Sequence, residues 1–187
     1  GKATAAVTRV NRFFGTTWTA ENCRYPVRKT QENGDDRTRP ANIIITCTDN
    51  TRSRLELWRL LKKYREASVN NERAVYYWMD FGNAQTTGQI VIGTVRNKIR
   101  QPASKEFMPV PGMNVITEEV NYSTIEEKDS GPSCSLAEAL ERQDLYINSI
   151  LAQVGCDILW RMFKEGRTLY RGAYINLDTL RVNPIPV

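Results

Sequence analysis

Asn42-Ile43-Ile44-Ile45-Thr46-Cys47 runs directly into Thr48-Asp49-Asn50, and a helical pattern follows over residues 51–67. The first six residues form a short, nearly continuous β-branched run, which is how a strand buried on both faces of a parallel sheet reads. In the helical stretch Leu57, Trp58, Leu61 and Tyr64 share one face, and Arg52, Arg59, Lys62 and Lys63 lie largely elsewhere. Residues 75–81 are again β-branched and aromatic, a second strand. Strand, polar corner, helix and strand make a βαβ unit, because parallel neighbours need a crossover of about a dozen residues or more. The fold class is therefore α/β, with a mixed sheet flanked by helices.

Outward from that unit the chain divides into three parts of one domain. Residues 1–95 hold the βαβ part. Ahead of it, residues 2–14 read as a helix with Ala6, Val10, Phe13 and Phe14 on one face and Gly15 as its stop; 28–39 is a polar loop. Behind it come a turn at 82–88 and a strand at 89–95. Residues 96–134 carry Pro102, Pro109, Pro111 and Pro132 with little periodicity, a long crossing or flexible segment. In 135–187, Ser135-Leu136-Ala137-Glu138 is a capping box. It opens a long helix with Leu136, Leu140, Ile147, Leu151, Val154 and Ile158 at helical spacing, ending near Gly166. Continuous to Lys164, it would span about 45 Å at roughly 1.5 Å per residue. The tail reads as two short strands, 169–177 and 179–182, with a turn at Asp178.

Composition narrows the chemistry. The 187 residues contain no histidine, which excludes Ser-His-Asp and Cys-His machinery, an imidazole base and histidine metal ligands. The four cysteines, Cys23, Cys47, Cys134 and Cys156, form no C-x-x-C pair. No zinc is expected, no disulfide scaffold is needed at this size, and a reducing, cytoplasmic compartment fits. No apolar run approaches the roughly 20 residues of a membrane helix, so no membrane is expected among the partners. With 26 basic against 21 acidic residues the net charge is +5, which suits anionic partners in general. The helix at 52–65 has six basic residues against the single acid Glu56. It lacks the aromatic interleaving of a base-stacking surface, so nucleic acid is the weaker reading.

Two residues stand out as sites. Asp49 lies where a strand hands over to a helix, at the carboxyl end of a sheet, where ligands bind and helix N-termini favour anions. A carboxylate there can hold Mg²⁺ against nucleotide phosphates; the plainer alternative is that Asp49 caps the helix. Cys134 precedes a helix N-terminus, which lowers a thiol pKa; the alternative is a small residue packing that cap. Cys47 and Cys156 read as core.

Thr48-Asp49-Asn50-Thr51-Arg52-Ser53-Arg54 after an Ile-rich strand resembles the T-D-N-x-x-x-R corner of the ThiF/HesA/MoeB family, the ATP-dependent activating enzymes of ubiquitin-like and sulfur-carrier proteins. Asp80-Phe81-Gly82-Asn83 and Gly88-Gln89-Ile90-Val91-Ile92-Gly93 resemble the segment that follows that corner. Gly1-Lys2-Ala3 looks like the remnant of the family's lysine helix. Pro132-Ser133-Cys134-Ser135-Leu136-Ala137-Glu138-Ala139-Leu140, Gln143-Asp144-Leu145, Ile147-Asn148-Ser149 and Tyr170-Arg171-Gly172-Ala173-Tyr174-Ile175-Asn176-Leu177 are similar to the ThiF-like proteins of the bacterial PRTRC system.

The resemblance implies a Rossmann-like fold and the C-terminal part of a ThiF-like activating domain. It implies ATP and Mg²⁺ as cofactors, Asp49 as the Mg²⁺ ligand that positions the nucleotide, and Lys2 as the cation on the transferring phosphoryl oxygens. Asn50 and Arg54 belong to the same nucleotide-binding corner, with Arg54 bracing it. Cys134 falls where some activating enzymes carry a thioester cysteine. The implied partner is a ubiquitin-like β-grasp protein, and the implied assembly a homodimer through sheet-flanking helices. The family's glycine-rich phosphate loop, acidic ribose-binding strand end and N-x-x-R-Q segment precede its lysine helix, and this chain contains none of them. The portion alone is therefore expected to be inactive in adenylation, and a non-catalytic module that binds a ubiquitin-like protein is the alternative.

Overall fold

A computed structural model of the chain places β1 (Ile43–Thr46) and β2 (Tyr77–Asn83) side by side in parallel, joined by α2 (Thr51–Glu66). The βαβ unit is thus as the sequence predicts. The residues described are 1–22, 41–66, 74–96, 99, 101–110, 112–124 and 144–187. The chain divides into two compact units, Gly1–Arg39 and Pro40–Val187.

In the first unit α1 (Lys2–Phe14) stops at Gly15, whose φ of 65° is the left-handed conformation that glycine adopts freely. Asn11 ties down the exit: its carboxamide oxygen accepts from Thr16 Oγ1 at 2.7 Å and from the Trp18 N–H at 2.9 Å. Phe13 and Phe14 meet edge to face and remain exposed.

The second unit is a five-stranded sheet in the order β1-β2-β3-β4-β5, with β3 (Thr87–Thr94), β4 (Tyr170–Asn176) and β5 (Arg181–Pro186) antiparallel to their predecessors. Side chains alternate across it. Trp78 and Val91 join Leu57, Trp58 and Leu61 of α2 on one face, with Trp58 stacked on Trp78 at 6.0 Å. Met79, Ile90, Ile92 and Ile175 pack on the other against Ile147, Leu151 and Ile158 of α4 (Ile147–Glu165). Helices on both faces explain why β3 reads as an unbroken apolar run. At Gly155 an added Cβ would run into the Phe81 ring, so α4 can lie this close to β2 only with glycine there.

Three expectations are corrected. The long helix does not run from Ser135: α4 begins at Ile147, and its 19 residues span about 28 Å at 1.5 Å per residue. Residues 144–146, just ahead of it, are not helical. The Asp144 N–H donates to Gln85 O at 2.8 Å, and its Oδ1 takes the Tyr146 N–H at 2.8 Å, a local bond that competes with the helix. The capping box, with Leu136 and Leu140, lies outside the described residues.

Second, β1 is not buried on both faces. It is an edge strand of the described sheet, and α4 packs chiefly on β2, β3 and β4, leaving Ile45 51% exposed. Third, Cys47 and Cys156 are exposed, not core: Cys47 lies past the end of β1, and Cys156 faces away from the sheet on α4. Of the two readings of the 96–134 segment, crossing or flexible, its stretch 113–122 takes the first and is anchored to the sheet and α2. Met113 exchanges hydrogen bonds with Thr94, and Val115 and Ile116, at the start of α3 (Ile116–Glu119), are buried against α2. Arg65 of α2 and Arg171 of β4 pair with Glu118 and Glu119. The terminal hairpin forms, with β5 continuing through Pro184 and Pro186; an edge strand tolerates proline where an inner one does not. Among the described residues no helix is long and apolar enough to cross a membrane.

Candidate functional site

Chain direction brings the carboxyl ends of β1, β2 and β4 to one end of the sheet, and the corner Thr48-Asp49-Asn50 lies there. Asn50, not Asp49, caps α2: its Oδ1 accepts the Ser53 N–H at 2.8 Å. The capping reading of Asp49 is thereby corrected. The described bond of the exposed Asp49 side chain is the one it accepts from Asn50 Nδ2, at 2.9 Å.

Arg54 holds the corner together. Its guanidinium is buried, with Nε 2.8 Å from Asp80 Oδ2. Nη2 donates to the Thr48 and Phe81 carbonyls at 2.7 and 2.9 Å, and Nη1 to the Asn50 carbonyl at 3.3 Å. Asp80 is fully buried on β2 and accepts from Thr46 Oγ1 at 2.6 Å, while the same hydroxyl accepts from Trp78 Nε1 at 2.8 Å. Burial pushes the Asp80 carboxyl up from its ordinary value, and the Arg54 charge with the Thr46 and Arg54 hydrogen bonds hold it back. Gly82 makes room for this network, since a Cβ there would sit 2.9 Å from both Arg54 Nη2 and Gln89 Nε2.

Beside the corner opens a cleft of about 550 Å³. Asp49, Thr51 and Arg54 line one side, and Gly82, Asn83, Gln89, Tyr122, Tyr174, Asn176 and Asn183 are among the residues that line the rest. The register sets Gly82, Gln89, Tyr174 and Asn183 next to one another on the same sheet face. Apart from Asp49 and the ion-paired Arg54, the lining is uncharged among the described residues. Sequence reasoning missed Gln89, Tyr122, Tyr174, Asn176 and Asn183 as site residues; the available signal was polar residues at alternate strand positions, where a covered face would be apolar.

The structure thus brings Asp49 and Arg54 together at the cleft, with Asn50 beside them at the α2 cap. Lys2 is the first residue of α1 in the other unit, exposed. Cys134 lies outside the described residues. Most of the cations on α2 are engaged within the fold: Arg52 with Glu56, Arg54 with Asp80, Arg65 with Glu118, and Lys62 over the Trp58 ring. Among the described residues no three His, Cys, Asp or Glu side chains gather into a metal site. One carboxylate is nevertheless enough for Mg²⁺, which commonly takes one or two and completes its shell with phosphate oxygens and water. Asp49 fits that requirement.

At this point the α/β class and a polar, corner-built cleft are defined. Neither a protein-family model nor a curated protein matches the chain.

Proposed function

We propose that the chain is the C-terminal part of a Rossmann-like, ThiF-type enzyme that adenylates the C-terminus of a ubiquitin-like or sulfur-carrier β-grasp protein. The observation that carries this reading is the freedom of Asp49. It stands on the cleft at the carboxyl end of β1, relieved of capping by Asn50, on a corner that Arg54 locks from behind.

Mg²⁺ and ATP, when bound, supply an electrophilic α-phosphorus and a pyrophosphate leaving group. Asp49 would offer the cation one carboxylate oxygen, and the N-terminal end of α2 would turn its partial positive charge to the phosphate oxygens. Arg54 keeps Asp49 in position without contributing free charge, because Asp80 neutralises it. Lys2 carries, by resemblance, the ammonium that offsets charge on the phosphoryl oxygens. The carboxylate of the partner's tail attacks the α-phosphorus, the α–β phosphoanhydride breaks, and pyrophosphate leaves. By the same resemblance the Cys134 thiolate would attack the acyl carbon of the adenylate, forming a thioester as the acyl–phosphate bond breaks and AMP leaves. The tail itself lies over Gln89, Tyr174 and Asn183, whose neutral amides and phenol suit peptide groups.

The test is ATP–pyrophosphate exchange on the complete gene product, with and without the β-grasp partner, beside Asp49→Ala. Partner-dependent exchange that disappears in the variant supports the reading. No exchange in the wild type, with the partner still bound, leaves a binding module of the same fold.

A further inference from the structure

We infer that Gln89 and Tyr122 form a donor pair that fixes a backbone carbonyl of an extended, uncharged peptide segment in the cleft, and so determine specificity. This rests on the reading of the cleft as a peptide site, and adds which residues recognise the chain.

Tyr122 is 7% exposed, lines the cleft and has its ring beneath the Arg54 guanidinium at 5.7 Å. Its hydroxyl accepts from Gln89 Nε2 at 2.9 Å, and no hydrogen bond runs from that hydroxyl to any described residue. Turning the amide over only moves the surplus: the phenol would donate to Gln89, and the amide N–H groups would become the donors to be satisfied. Either way the pair keeps a donor that is not used within the described fold and faces the cleft, where an incoming carbonyl can take it in place of solvent. Burial pushes the Tyr122 phenol up from its ordinary value, so it stays protonated and able to donate.

The charge pattern selects the acceptor. Without a metal, a free anion would meet the Asp49 carboxylate, which has no cation paired with it among the described residues. A peptide carbonyl carries no such penalty, and Tyr174 and Asn183 continue the row of neutral groups beside Gln89. Positioning is built in. The crossing segment that carries Tyr122 is fixed to β3 through Thr94 and Met113, and to β4 through Arg171 and Glu119. The donor therefore need not be ordered when ligand arrives.

The experiment is an NMR titration of the full chain, ¹⁵N-labelled, with acetyl-Ala-Gly-Ala-Gly-Ala-N-methylamide, following the Gln89 side-chain amide signals. They should shift saturably in the wild type. Tyr122→Phe keeps the ring under Arg54 and should bind roughly fivefold more weakly, the loss of one neutral hydrogen bond to the ligand, while the lost bond from Gln89 lowers the melting temperature by no more than about 6 °C. Gln89→Met, which leaves the Tyr122 ring in place, should weaken binding similarly. Silent Gln89 signals, or a Tyr122→Phe variant that binds as tightly as wild type, overturn the inference. A Gln89 shift with inorganic phosphate and none with the peptide also overturns it, by making the pair an anion site. Peptide binding without pyrophosphate exchange in the complete protein would sink the adenylation reading and leave the pair standing; exchange with silent Gln89 signals would do the reverse.

Discussion

Arg54→Leu is the substitution that asks most of the corner. Leucine fills the hydrocarbon path of the arginine but removes the bonds to Asp80 and to the Thr48, Asn50 and Phe81 carbonyls. It leaves a fully buried carboxylate with only the Thr46 hydroxyl. Breaking a buried pair from one side costs about 3–5 kcal/mol. In a chain of this size that lowers the melting temperature by roughly 6–20 °C. Circular dichroism with urea and heat unfolding at matched pH measures both. Arg54→Lys restores the charge but not the fork that reaches the carbonyls, and should fall between wild type and leucine.

The pH dependence sharpens the test. Burial already pushes the Asp80 carboxyl up, and Arg54 is what holds it back, so the variant's carboxyl rises further. A carboxyl raised in the folded state contributes stability that is fully present below its unfolded pKa, about 3.9 for Asp. That stability is lost as pH rises through the folded value. The deficit of Arg54→Leu should therefore be smaller at pH 5 than at pH 8. A loss under about 1 kcal/mol, or an equal deficit at both pH values, would refute the idea that this ion pair holds the corner.

Asn50→Ala should cost about 1 kcal/mol through the lost cap, while Asp49→Ala, at an exposed side chain, should change stability by less than about 0.5 kcal/mol; urea titration separates the two. Gly155→Ala pushes a methyl into the Phe81 ring and should cost about 1–3 kcal/mol by overpacking, read as a lower urea midpoint. Cys47 is exposed, yet burial around its sulfur and the nearby Asp80 push its thiol up. Iodoacetamide labelling mapped by mass spectrometry should therefore be slower at Cys47 than at Cys156 at pH 8, and Asp80→Asn should speed it.

The sequence carried the βαβ unit because its signals are local: an isoleucine run, a polar corner, a helical stripe, each within a few residues. Helix α1 was legible for the same reason, with Gly15 marking its end. The start of α4 was not. Ile147 and Leu151 continue the spacing of Leu136 and Leu140, whereas just ahead of α4 the Asp144 N–H bonds to Gln85, 59 residues away in the chain. The exposure of Ile45 was hidden in the same way, because a β-branched run does not reveal how far a helix on the far face will reach. At the site, Asp49 was singled out from its place between strand and helix. Which of two adjacent polar residues takes the capping role depends on backbone geometry, and that gave the cap to Asn50. Gln89, Tyr174 and Asn183 meet only through strand register, and Tyr122 arrives from a segment with no periodicity to announce it.

The two edges of the described sheet are unlike, and this bears on how the molecule behaves when crowded. On β5, Pro184 and Pro186 have no N–H to offer another strand. On β1 the short run Ile43–Thr46 carries no proline, and Ile45 is half exposed. Fibre growth by edge pairing needs two permissive edges, one to join and one to pass the pattern on. With a single permissive edge in the described sheet, strand addition would be self-terminating: copies joined β1 to β1 would carry proline at both outer rims.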